Sequence, residues 1–122
     1  IISMDIEALR NYCLAKPGTT ESFPFDETTL VFKVMGKMFA LTDLIENRSV
    51  NLKCDPEKAI QLRERYDAVQ PGFHMSKNLW NTVNYDGIPD DKLIFEWIDH
   101  SYDQVVKGLP KKIRNQLNEL NQ

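Results

Sequence analysis

Hydrophobic positions change their period several times along the chain, and each change marks an element. Ile6, Leu9 and Cys13 recur at helical spacing and share one face, which predicts a first helix over residues 4–15. Ser3 stands where it can cap that helix, and Asp5 and Glu7 suit the positive end of its dipole. Lys16-Pro17-Gly18 ends it, because the residue before a proline avoids the helical region. Residues 19–27 carry no period and read as a loop, with Phe23-Pro24-Phe25 folding back as a lid on the core. The period then becomes two. Leu30, Phe32 and Val34 alternate over residues 29–34, Met35-Gly36-Lys37 reverses the chain, and residues 38–42 return. Glu46-Asn47-Arg48 turns again, and Val50, Leu52 and Cys54 alternate with Asn51 and Lys53. Three strands on short turns predict an antiparallel meander.

Helical spacing resumes at Asp55-Pro56-Glu57, which supplies a cap, a proline at the first helical position and an acid in the first turn. That second helix reaches Tyr66, with Ala59, Leu62 and Tyr66 inward and Arg63, Glu64 and Arg65 on a solvated face. A short strand at residues 73–75, a turn at 76–79 and a strand at 80–85 follow. A third helix has Leu93, Ile94, Trp97 and Ile98 inward, with His100-Ser101-Tyr102 near its end. Leu109-Pro110 breaks the pattern, and a last amphipathic helix over residues 111–120 turns Ile113, Leu117 and Leu120 inward. The order α-βββ-α-ββ-α(α) implies an α+β domain, a two-layer sandwich of an antiparallel sheet with helices on one face.

Composition supports this picture and adds little. A length of 122 residues predicts a single domain spanning 1–122. With 42% hydrophobic and 27% charged residues, the chain falls in the soluble globular class. Met4-Asp5-Ile6-Glu7 reads as a natural start, with residues 1–3 as cloning remnants. Those three residues are too short for a signal peptide, and no apolar run approaches the roughly 20 residues of a membrane span, so a cytoplasmic protein away from the membrane is expected. Cys13 and Cys54 share no CxxC spacing and read as free thiols. The net charge of −3 argues against nonspecific nucleic-acid binding, which depends on cationic surface. Its distribution is uneven: residues 33–77 sum to +2 and residues 78–106 to −5.

The chain lacks a phosphate-cradling glycine loop, an HExxH pair and a GxSxG elbow, so no catalytic residue, metal or cofactor is expected. Two groups of residues are candidates for contact. The stretch from Pro71 to Val83 combines a Pro-Gly turn with His74, Lys77, Asn78 and Trp80. If the turn is helix-like, His74, Lys77 and Trp80 point the same way, and the imidazole and ammonium suit an anion. The plain alternative has His74 closing the turn, Lys77 solvated and Trp80 in the core. The second group is Lys33, Lys37, Arg48 and Lys53 on or beside the hairpins, where cations can follow a phosphate backbone. Asp43 and Glu46 lie among them, and lysines on a sheet edge also serve to block unwanted pairing.

Several pieces, in their order and spacing, resemble the MmcQ/YjbR family over nearly the whole chain. They are Tyr12 with Pro17-Gly18, Phe23-Pro24-Phe25, the run from Lys33 to Ala40, Leu52-Lys53, Pro71-Gly72-Phe73-His74-Met75-Ser76-Lys77 with Trp80 and Val83, and Ser101-Tyr102 with Val105 and Leu109. The resemblance implies a fold similar to type III secretion chaperones. It also implies a double-wing DNA-binding role, with Lys33, Lys37 and Lys77 on phosphate, and it carries no catalytic residues. Ser76 stands where the family often has asparagine, which shortens the reach of that side chain. Three functions follow as expectations. The first is DNA binding through Lys33, Lys37, Arg48, Lys53, His74, Lys77 and Asn78. The second is a chaperone-like protein- or peptide-binding module, and the third an anion or small-molecule binder. The oligomeric state is not legible.

Overall fold

Residues 4–120 are described by a computed structural model of the chain. The first helix, α1 (Ile6–Leu14), starts with its apolar stripe at Ile6, inside the predicted range of residues 4–15. Asp5 is its cap, accepting a hydrogen bond from the Ala8 N–H at 2.8 Å, while Ser3 lies outside the described residues. The segment expected as a loop opens with a strand, β1 (Thr19–Ser22), whose own side chains carry no apolar alternation. It forms by pairing with β2 (Thr29–Val34), so its signal resides in the partner and not in its own residues. The hairpin from β2 to β3 (Lys37–Asp43) turns on Met35 and Gly36, both at positive φ (49° and 85°), the geometry that matches the twist of two antiparallel strands. After β4 (Ser49–Lys53), α2 (Pro56–Arg65) is capped by Asp55, whose carboxylate accepts from the Lys58 N–H. The strand expected at residues 73–75 is instead β5 (Val69–Pro71), placed before the Pro-Gly turn. Then come β6 (Trp80–Asn84), a single 3-10 turn (Tyr85–Gly87), α3 (Asp91–Lys107) and α4 (Lys111–Leu120).

The six strands form one antiparallel sheet in the order β1-β2-β3-β4-β6-β5. The predicted α+β two-layer architecture holds, with one strand more than expected. The helices pack on a single face. Leu30, Phe32, Val34, Val50, Leu52 and Val83 point from the strands toward Leu9 and Cys13 of α1, Ile94, Trp97 and Ile98 of α3, and Leu117 of α4. Burying such side chains stabilises the fold by roughly 1.5–3 kcal/mol each. Cys13 and Cys54 are free and buried, and burial pushes their thiols up to about 12 and about 11.

A bulge between Phe32 and Lys33 shifts the β2–β3 register, so that Phe39 and Ala40 both turn toward the helices. The Ser101 hydroxyl of α3 enters the gap beside it. It donates to the Phe39 carbonyl at 2.5 Å and accepts from the Lys53 N–H at 2.8 Å, bridging β3 and β4 where their own pairing has stopped. Two expected core contacts are absent. Leu120 is exposed, because α4 docks through Leu117 and Ile113 and runs past the core. Phe23 and Phe25 do not form a lid on the core but remain exposed, and Asp26 shapes the end of their loop by accepting the Thr28 and Thr29 N–H groups.

Candidate functional site

Among the described residues, the second face of the sheet carries no helix, and only a small cluster, Val31, Leu41 and Trp80 with Met38 and Met75, packs there. Trp80 is therefore buried, as expected of a core residue, but on the side away from the main core. Beside this cluster lies a cavity of about 730 Å³. Its floor is a row of outward side chains in register across three strands, Leu41 on β3, Asn51 on β4 and Thr82 on β6. Phe25 and Asp26 stand at one side, Phe73, His74 and Met75 at the other, and Asp43 and Glu46 at the end near the β3–β4 turn.

The loop between β5 and β6 forms the most heavily braced wall. Its backbone is tied to the floor by the Phe73 N–H, which donates to Thr82 Oγ1 at 2.9 Å, and by the Phe73 carbonyl, which accepts from Asn51 Nδ2 at 3.3 Å. The Thr82 hydroxyl in turn donates to Asn51 Oδ1 at 2.6 Å, so the three residues form a closed circuit. Gly72 donates its N–H to the Trp80 carbonyl at 2.8 Å. A Cβ there would lie 2.7 Å from Trp80 Cβ, so close backbone approach explains the glycine. From α2, the Arg63 guanidinium reaches Asn81 Oδ1 at 2.7 Å, the Trp80 carbonyl at 3.2 Å and the Lys77 carbonyl. Arg63 thus does not belong to a solvated face. It anchors the loop, because the loop carbonyls need donors that no strand provides.

This bracing presents Phe73, exposed and with its ring centroid 4.1 Å from that of His74, beside the cavity. His74 has φ of 59°, an unfavourable backbone region for a residue with a side chain, and such strain concentrates where structure serves function. At the opposite side, hydrogen bonds from the Thr28 and Thr29 N–H groups hold the Asp26 carboxyl below the usual range.

The predicted contact residues do not converge. His74 lines the cavity. Lys77 folds back, its ammonium donating to the Gly72 carbonyl at 3.1 Å, so His74, Lys77 and the buried Trp80 do not share one direction. Asn78 is exposed within the turn that precedes β6. Lys33 and Lys53 share the helix-free face, opposite Met38 and Trp80 respectively, outside the cavity. Lys37 and Arg48 are exposed at opposite ends of β3, a separation of about 20 Å at the rise of an extended strand. Among the described residues, no three His, Cys, Asp or Glu groups are arranged to hold a metal ion. No helix among them is long and apolar enough to cross a membrane.

The sequence reading missed Phe25, Asp26, Asn51, Thr82 and Arg63 as site residues. Asn51 and Thr82 carried a signal, since both are outward polar positions in strands, but their adjacency depends on β4 pairing with β6 across an intervening helix.

A helix-backed antiparallel sheet with one face free, and a braced loop over a cavity on that face, define a small α+β domain. The chain belongs to the YjbR family, whose model matches residues 14–104. It is 40% identical over 118 residues to the uncharacterised protein YjbR of Escherichia coli (strain K12), covering 96% of this chain and all of that one. The uncharacterised protein YbdF of Escherichia coli O157:H7 is 32% identical over 107 residues, with 87% of this chain and 88% of that one covered. In structure, it resembles the Deinococcus radiodurans protein DR2400, a DUF419 domain, with a TM-score of 0.88 and 37% identity over 95% of this chain and 89% of that one. A Pseudomonas syringae protein is similar with a TM-score of 0.70 and 25% identity over 83% of this chain and 98% of that one.

Proposed function

We propose that this chain is a ligand-binding module whose ligand occupies the cavity on the helix-free face. The observation that carries the reading is the construction of the wall. Asn51, Thr82, Gly72 and Arg63 all hold a loop whose outward products are an exposed phenylalanine and a strained histidine beside a cavity. The volume, about 730 Å³, lies within the range of sites for small organic molecules. The test is a fragment screen followed by amide chemical shifts. Ligands are expected to perturb Asn51, Phe73, His74 and Thr82, and Ser49→Trp, which fills the cavity from β4, is expected to abolish the response. Hits that shift other regions and ignore Ser49→Trp would sink the reading.

Nucleic-acid binding is a second reading, favoured by Lys33 and Lys53 sharing that face near Trp80. The separation of Lys37 from Arg48 and the turning back of Lys77 limit it to a small footprint. Two phosphate contacts predict a salt slope of about −1.8 for duplex binding. Fluorescence anisotropy showing no binding at low salt would remove it.

A further inference from the structure

The cavity lining contains three carboxylates, Asp26, Asp43 and Glu46, and neither lysine nor arginine. Among the described residues, ion pairs join Arg10 to Glu21 and Lys16 to Asp99, so none of the three has a cationic partner there. Asp43 uses Oδ1 to accept the Ile45 N–H at 2.9 Å, which leaves Oδ2 uncommitted by that turn. The carboxylates are not arranged as a metal cage. They sit instead on a cavity whose lining also includes Phe25, Phe73, Leu41 and Met75. Like charges around a concave, partly apolar site focus a negative potential within it. An anionic ligand would meet that field with no lysine or arginine on the lining to offset it, and a metal ion would lack converging ligands. A cation attached to an apolar body satisfies both parts of the wall, through the carboxylates and through the aromatic faces.

Resting on the reading of this cavity as the ligand site, we propose that its ligand is an organic cation. The ammonium lies at the Asp43–Glu46 end, and the apolar body lies between Phe25 and Phe73. The carboxylates discriminate by repelling anions as much as by attracting the amine.

Three probes of one shape separate the outcomes: tryptamine, its neutral N-acetyl form and indole-3-propionate, each titrated with amide chemical shifts recorded. Tryptamine is expected to bind roughly three- to tenfold more tightly than the neutral probe, with the anion weakest. Asp43→Asn and Glu46→Gln, which keep size and, at position 43, the turn-capping oxygen, are expected to erase the preference while the neutral probe still binds. Equal binding of amine and neutral probe in the cavity would overturn the cation class and leave the site standing. Shifts from all three probes away from Asn51, Phe73 and Thr82, or no shifts at millimolar concentration, would overturn both.

Discussion

Ser101 shows how much one hydroxyl can organise. Fully buried, it completes a strand pairing that the β3 bulge interrupts, so its removal strands the Phe39 carbonyl and the Lys53 N–H together. Ser101→Ala is expected to cost about 2–4 kcal/mol in urea denaturation, because unmade hydrogen bonds in a core are more expensive than made ones are favourable. A loss below half a kcal/mol would mean that the strands close the gap themselves. One residue before it, His100 accepts the Asp55 N–H at 3.1 Å through Nε2, which requires neutral imidazole. Burial, then the nearby Lys58, lowers its pKa below the ordinary 6.5, against the opposing pull of Asp55 and Asp103. The unfolded chain therefore takes up the proton first as pH falls. The contribution is present in full above pH 6.5 and is lost as pH drops from there toward the lowered native value. His100→Ala is expected to be less stable at neutral pH and to flatten that part of the stability profile, while an unchanged slope would exclude His100 as its source.

Between elements, the interactions are local knots that join pieces remote in sequence. Lys16, at the end of α1, pairs with Asp99 at 2.5 Å and lies 5.1 Å from the ring centroids of both Tyr12 and Tyr102. Tyr12 donates to the same Asp99 at 2.7 Å, and Tyr102 to the Pro17 carbonyl at 2.5 Å. The family-resembling pieces Tyr12, Pro17-Gly18 and Ser101-Tyr102 are thus fasteners of α1 and α3 to each other and to the sheet. Arg63 plays the same part between α2 and the loop before β6. Arg63→Ala is expected to destabilise the protein by about 1–3 kcal/mol. It should also speed amide exchange at Gly72, Phe73 and Trp80 well beyond the global change. Uniform acceleration across the sheet would show that Arg63 contributes to overall stability without holding the loop.

At the scale of the whole molecule, the sheet is asymmetric: helices seal one face and leave the other to a small cluster and a cavity. The strands between neighbours, β2, β3, β4 and β6, and the central helix α3 share that sealed core, whereas β1 and the three-residue β5 are the edges. Native-state hydrogen exchange is expected to be slowest in the first group and to reach the global unfolding free energy there, with β1 and β5 opening locally. Equal protection of β1 and β4 would contradict this ordering. Three carboxylates, Asp26, Asp43 and Glu46, gather at one cavity although none belongs to the acidic segment 78–106, while Lys37 and Arg48 stand at opposite ends of β3.

By itself, the sequence determined the class of fold, the helices and the central strands. Apolar spacing in Ile94, Trp97 and Ile98, or in Leu30, Phe32 and Val34, is a local pattern that burial against any partner would satisfy. The Asp55-Pro56 start and the Met35-Gly36 reversal were equally legible, since caps and turns depend on neighbours in the chain. Only the tertiary structure decided β1, which exists through its pairing with β2, and the roles of Arg63, Ser101, Asn51 and Thr82. It also separated the predicted cations and assembled the cavity from residues on β3, β4 and β6 and the loops beside them. The reason is common to all of these. A hydrogen bond or a shared field between residues tens of positions apart leaves no periodicity in the chain, and it comes into being only when the sheet sets its register.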